Sequence, residues 1–384
     1  MPKYVYSFSL VAGGPCYRLL RSLGIVRPGD FEPVRPAIVF ALATWLPLML
    51  IGLSERLRGR ALDPILTDVA VHVRLLLALP LLLAAERALE FHCSLAVDRF
   101  TRGRFVGPDD LDAFASVVAH TVRLRDRSGP ELALLVLALT GGLAALGGVS
   151  VTSIASVSGQ VRDIPAEVWY ALVALPVFQF LLLRWLWRWT MWSWMLFRVS
   201  RLRLRLMPLH PDHAGGLLHL SNPIAALAMV VVGASSVLSA SWSMQIVHGH
   251  AQVLDFVPSL VLFALLVELL ALAPVLPFAP ALRRARFTGI TEYALFALRV
   301  TRAFARRWTR HERADNLILG GSDVSVLTDL MSSYEVLTQM GLVPFNRGMA
   351  LVIALAVIVP MLPLATTVVP LPQLLTQLAR ALLT

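Results

Sequence analysis

A chain of 384 residues that is 57% hydrophobic and only 15% charged, with a mean hydropathy of +0.71, has too little polar surface to coat a water-soluble fold of its size. The net charge of +10 rests on arginine almost alone, Lys3 being the single lysine, a bias that fits a GC-rich bacterial genome. Beside lipid such charge favours anionic phospholipids, so no nucleic-acid partner is expected. Two cysteines, Cys16 and Cys93, support neither a disulfide framework nor a zinc ribbon.

The chain begins with Lys3, an apolar stretch over 4–12, and then Gly13, Gly14, Pro15 and Cys16. A lipobox needs a small residue where Pro15 stands, so no cleaved signal is expected; Arg18 and Arg21 instead suit a short amphipathic helix at the inner membrane surface. Seven stretches reach or approach the roughly 20 apolar residues of a span. They are 36–53, 65–89, 131–149, 167–189, 223–245, 257–280 and 348–368. In hydrocarbon every backbone N–H and C=O must be satisfied within its own segment, so the prediction is an all-α, polytopic transmembrane helix bundle of six or seven spans. Residues 1–384 form one integral membrane domain, with a helical cytoplasmic layer at 90–130, 195–221 and 281–345.

Arginines crowd alternate connections, which places the amino terminus in the cytoplasm of a bacterial inner membrane. Arg56, Arg58 and Arg60 break the pattern, and with a re-entrant first stretch they would lie inside and six spans would remain. In the inner layer, Pro108, Asp109 and Asp110 open a helix with Leu111, Phe114, Val117, Val118 and Val122 at helical spacing. Over 290–310, Tyr293, Phe296, Val300, Phe304 and Trp308 share one side, while Arg299, Arg302, Arg306 and Arg310 fall largely on another. Such a basic amphipathic helix lies flat on anionic lipid. After Gly320-Gly321-Ser322-Asp323, a turn and cap, Leu327, Leu330, Met331, Tyr334 and Leu337 form the buried stripe of a further helix, closed by Gly341 and Pro344.

Charges inside spans carry the sharpest functional clue, since each costs at least about 2.5 kcal/mol unless it is paired or wet. Glu268 and Arg74 fall at similar depth in the sixth and second spans and are expected to pair, as are Glu86 and Arg184, with Arg188 one turn below. Asp68 and His72, four apart, share a helix face and are placed to exchange a proton. Trp185, Trp187, Trp189, Trp192 and Trp194, interleaved with arginines, read as an interfacial belt; Gly141 with Ala145, and Ala144 with Gly148, read as close helix packing within or between subunits, consistent with a homo-oligomer.

The run His210-Pro211-Asp212-His213-Ala214-Gly215-Gly216 reads first as a tight capped turn at the membrane surface. As metal ligands His210, Asp212, His213 and His219 are chemically suitable, though their spacing matches no metal motif. No phosphate-binding loop, nucleophile elbow, zincin or dinucleotide fingerprint is present, so no enzyme class and no cofactor is indicated. The leading expectation is a channel or transporter for an ion or small solute. The alternatives are a membrane-embedded enzyme centred on His210, Pro211, Asp212 and His213, and a scaffold or signalling component that holds anionic lipid or a protein partner, to be recognised by closed ion pairs in a dry interior.

Two stretches resemble recurring signatures of an uncharacterised family of bacterial multi-pass membrane proteins. One is Leu209-His210-Pro211-Asp212-His213-Ala214-Gly215-Gly216-Leu217. The other comprises Gly321-Ser322-Asp323, Leu327-Thr328-Asp329-Leu330, Ser333-Tyr334-Glu335, Met340 and Pro344-Phe345. The resemblance implies a multi-pass placement and no particular activity; with both signatures facing one compartment, they are expected to touch.

Overall fold

Apolar runs of membrane-crossing length dominate the chain, and a computed structural model, which describes residues 8–26, 34–59, 64–147, 166–249, 251–308 and 322–364, folds them into helices. In chain order these are α1 (Gly14–Ser22), α2 (Val34–Leu57), α3 (Val69–Arg102), α4 (Leu111–Asp126), α5 (Ser128–Gly147) and α6 (Ala166–Val199). There follow α7 (Ile224–Gly249), α8 (Val257–Leu272), α9 (Ala279–Trp308), α10 (Ser322–Thr338) and α11 (Arg347–Leu364). Among the described residues, seven helices are long and apolar enough to cross a bilayer: α2, α3, α5, α6, α7, α8 with its preceding turn, and α11. The protein is thus an integral, multi-pass, all-α membrane protein in contact with lipid. The first apolar stretch forms one helix of 24 residues, about 36 Å at 1.5 Å per residue, which is long enough to cross a bilayer.

Proline positions explain the irregularities. Pro80 and Pro176 lack the N–H that would continue the ladder, and each follows a π turn, Arg74–Ala78 in α3 and Tyr170–Ala174 in α6. Pro274 and Pro277 end the sixth span at Leu272, short of the expected 280, with a 3₁₀ turn at Leu276–Phe278. The basic helix expected over 290–310 is the second half of α9; Arg299, Arg302 and Arg306 are exposed on it, and Arg310 lies outside the described residues. The expected span residues 148–149 and 365–368 also lie outside them.

α3 and α7 pack along each other at the centre, flanked by α2, α6 and α11. α5 lies on α6, and α8 packs on α7 and α11 as the least covered of the seven. The tryptophans do not form the expected belt. Arg184, Trp185, Arg188, Trp189, Trp192 and Leu196 fall on one helical face of α6 that turns inward, so Trp185, Trp189 and Trp192 are fully buried, with Trp185 and Trp189 stacked at 5.4 Å. Trp189 Nε1 donates to the Leu270 carbonyl at 2.9 Å, tying α6 to α8. Trp194 alone keeps an interfacial partner, Arg198 over its ring at 5.9 Å.

On α10, Leu330 and Leu337 are buried while Met331 and Tyr334 are exposed, so among the described residues, where α9 packs on this helix, the covered stripe is narrower than expected; the Leu327 side chain lies outside them. The small residues that admit close packing of α5 on α6 are Gly141, against Gln179, and Gly142, against the Ala171 carbonyl and Pro176; Ala144 and Ala145 are exposed, and Gly148 is outside the described residues. A side chain at 142 has no room, so Gly142→Leu is expected to cost about 1–3 kcal/mol of stability, as over-packing does. Unfolding in detergent micelles measures this, with Gly129→Ala, where a Cβ meets nothing within 4 Å, as the unaffected control. Equal stability of the two variants would contradict the packing.

Candidate functional site

Two arginines of α6 are almost completely enclosed, Arg184 2% and Arg188 3% exposed, and such charges persist only with partners. Glu86 of α3 supplies them: its Oε1 stands 2.6 Å from Arg188 Nη1 and its Oε2 3.4 Å from Arg184 Nη2. Glu131 of α5 stands 4.0 Å from Arg184 Nε, which balances two positive charges with two negative ones. The chain's own amino-terminal segment completes the shell. Arg184 Nη1 donates to Cys16 Sγ at 2.8 Å, and Arg188 Nη2 to the Val11 carbonyl at 3.4 Å. In return, Glu131 accepts from the Cys16 amide and Glu90 from the Leu10 and Val11 amides, all at 2.8 Å.

At the rim of this clasp Asp126 accepts from the Gly14 amide at 3.1 Å, and Arg125 donates to the Ser9 carbonyl at 2.7 Å. The Arg125 guanidinium, bonded to Asp126 through two nitrogens, holds that carboxyl below its ordinary range. Burial pushes the Cys16 thiol above its ordinary value, against the pull of Arg184, so the sulfur stays protonated and adds no charge.

The pairing of Glu86 with Arg184 and Arg188 was legible from depth alone, but that of Glu268 with Arg74 does not form. Arg74 lies 5.8 Å from the ring centre of Tyr170 and 5.7 Å from that of Phe178, both on α6. These aromatic faces give the guanidinium cation–π contact. Glu268 is half-buried on α8, whose packing partners are α7 and α11; equal depth says nothing about which helices are neighbours. Asp68 and His72 do not bond each other either. Asp68 caps its helix by accepting from the Ala70 amide at 2.8 Å, whereas His72 takes Trp45 Nε1 at 3.0 Å and reaches the Leu66 carbonyl at 2.9 Å.

A second constellation occupies the arginine-rich end. Asp212 accepts from the amides of Ala214, Gly216 and Leu218 at 2.9, 3.0 and 3.1 Å, closing the loop on one carboxylate. His210 Nδ1 stands 2.8 Å from Asp212 Oδ1 and 3.3 Å from the Asp212 amide nitrogen, which donates to it. Gly215 and Gly216 have φ of 63° and 93°, and a Cβ at 216 would enter the Phe105 ring, so glycine is required there. His213, also at positive φ, offers its carbonyl to the Gly341 amide at 2.7 Å, so the loop and the chain after α10 touch as expected. Among the described residues no three His, Cys, Asp or Glu side chains converge as metal ligands, and Asp212 is spent on the backbone.

Beside this loop, a cleft of about 430 Å³ is lined by Arg99, Phe105, His210, Asp212, His219 and Asn346 among others. A larger one, about 910 Å³, lies between the end of α6 and the start of α9. Arg201, Arg203, Arg205 and Arg284 line it with Glu292 over an apolar floor that includes Phe197, Leu276 and Pro277. The sequence had counted these arginines only as topology signals; nothing in their spacing brings Arg284 to the other three. No family model matches the chain, and no curated protein or solved structure matches it either.

Removing the clasp's central carboxylate leaves two enclosed guanidinium groups short of charge, so Glu86→Gln is expected to destabilise the protein by about 3–5 kcal/mol. Unfolding of the reconstituted variant tests this, and a shift within error of zero would show that the arginines are satisfied without Glu86. For Asp212, burial alone would raise the carboxyl, and the three amides with His210 outweigh it, holding the group below its ordinary value. A depressed folded value contributes stability that is complete above the unfolded value, about 3.9, and is lost as pH falls through the folded one. Amide exchange at Ala214, Gly216 and Leu218 should therefore stay protected at neutral pH and quicken only below about pH 4; in Asp212→Asn it should be fast throughout, and an acid-insensitive wild type would refute the assignment.

Proposed function

We propose that this protein is a membrane-embedded scaffold or signalling component that binds anionic phospholipid, with its arginine-rich end in the cytoplasm of a bacterial inner membrane. One observation carries the reading: four guanidinium groups, Arg201, Arg203, Arg205 and Arg284, line one cleft at the edge of the helix bundle, and none pairs with a carboxylate among the described residues. A basic recess with an apolar floor suits a phosphate-bearing headgroup whose acyl chains lie along the bundle. Arg299, Arg302 and Arg306, exposed further along α9, extend the same charge over the leaflet.

Passage of an ion finds less support. The expected pair of Glu268 with Arg74 does not form, and Asp68 and His72 are each engaged elsewhere, while Glu86, Arg184 and Arg188 are closed on one another. The ion pairs among Glu86, Arg184 and Arg188 fit a fixed framework better than a conducting one.

Nanodiscs containing phosphatidylglycerol or only phosphatidylcholine test the reading. Anionic lipid should be retained preferentially through purification, and Arg201→Gln with Arg284→Gln should weaken retention by about 1 kcal/mol per charge removed. Equal retention of both lipids by the wild type would remove the reading, and so would a double variant that holds anionic lipid as well as the wild type does.

A further inference from the structure

We infer that the cleft beside the histidine loop is a second anion site, built for a phosphate group that still carries one acidic hydroxyl, such as hydrogen phosphate or a phosphate monoester. It shares no lining residue with the basic cleft of α6 and α9. Its charge is right. Arg99, exposed at the end of α3, lines it and pairs with no carboxylate among the described residues, and the His210 ring lines it as well. The one acid on its wall, Asp212, is already covered by three amides and His210. Ser221 and Asn222 line the cleft immediately before the first turn of α7, a helix of 26 residues whose amino-terminal dipole favours an anion. Asn346 has its carbonyl oxygen on the Met349 amide at 2.8 Å, which leaves its NH₂ as a donor.

His219 gives the site its selectivity. The side chain lines the cleft and is only 8% exposed. Its Nδ1 lies 3.0 Å from the Gly216 carbonyl, which only accepts, so Nδ1 holds the hydrogen and Nε2 presents a lone pair. That Nε2 is buried with no hydrogen-bond partner. A buried acceptor left open calls for a donor, and among common oxyanions a protonated phosphate brings both the negative charge for Arg99 and the hydroxyl for Nε2. Sulfate has the same size and shape but no proton at neutral pH.

The experiment is calorimetric titration of inorganic phosphate, and separately of sulfate, into the full chain in phosphatidylcholine nanodiscs. Phosphate should bind saturably, and sulfate about tenfold more weakly, as expected for one hydrogen bond to a charged partner. Arg99→Gln, at an exposed position, should weaken both anions about tenfold. His219→Phe should erase the preference for phosphate while sulfate still binds. Repeating the titration with phosphatidic acid in the disc identifies the source: competition assigns the phosphate to a lipid headgroup, its absence to a soluble ligand, and either result supports the site. Absence of saturable phosphate binding by folded wild type overturns the inference. So does equal binding of sulfate, or loss of phosphate binding in Arg201→Gln/Arg284→Gln with Arg99→Gln unaffected, which would move the anion to the other cleft and leave the lipid reading standing.

Discussion

Two arginine charges enclosed between membrane helices impose the constraint around which the rest is arranged. Taking such ions out of water costs several kcal/mol each even after relaxation, and the cost is recovered only where opposite charge and hydrogen-bond acceptors close on them. Here the carboxylates come from two other spans, Glu86 and Glu131, and further acceptors come from the chain's first described residues, Cys16 and Val11. Glu131 also holds the Cys16 amide, and Glu90 holds those of Leu10 and Val11, so the amino-terminal segment and the bundle satisfy each other. Phe8, Leu10 and Val11 are buried against the bundle.

The arginine-rich end inherits rigidity from this clasp. α3 and α6 leave it with fixed spacing, and the segments that follow them meet again through the Val106–Leu204 bridge, the Arg205 amide on the Phe105 carbonyl at 2.8 Å, and Asp110 accepting from the Arg203 amide at 2.9 Å. Those contacts set one wall of each cleft, since Arg203 and Arg205 line one and Phe105 the other. The Asp212 loop adds a further wall to the smaller cleft and is held against the chain after α10 by the Gly341 amide on the His213 carbonyl. The backbone that carries Arg203, Arg205 and Phe105 is thereby tied together by hydrogen bonds, an arrangement that helps a surface site keep its geometry.

Much of the fold was legible in the sequence, because hydropathy and length are local properties. Seven apolar runs became seven candidate spans, Pro108-Asp109-Asp110 opened α4, and Asp212 closed a tight turn. Lateral order in the membrane was not legible. Glu86 and Arg184 happened to sit on adjacent helices and met; Glu268 and Arg74 matched in depth equally well and did not. The tryptophans of α6 show the same limit, since aromatic and basic residues in one run suit a lipid belt or a buried face, and only the neighbours decide. Cys16, Glu90 and Glu131, at the heart of the clasp, carried no local signal, their roles depending on backbone groups more than 75 residues away, with separations of 79, 80 and 115.

Hydrogen exchange at the amides of Leu10, Val11 and Cys16 in the reconstituted protein tests the clasp most directly, because each donates to one of its carboxylates. If the amino-terminal segment is built into the bundle by those bonds, the three amides exchange as slowly as the interior of α3. Exchange at the rate of a free, solvated chain would mean that Arg184 and Arg188 are neutralised without it, and the account would fail at its foundation.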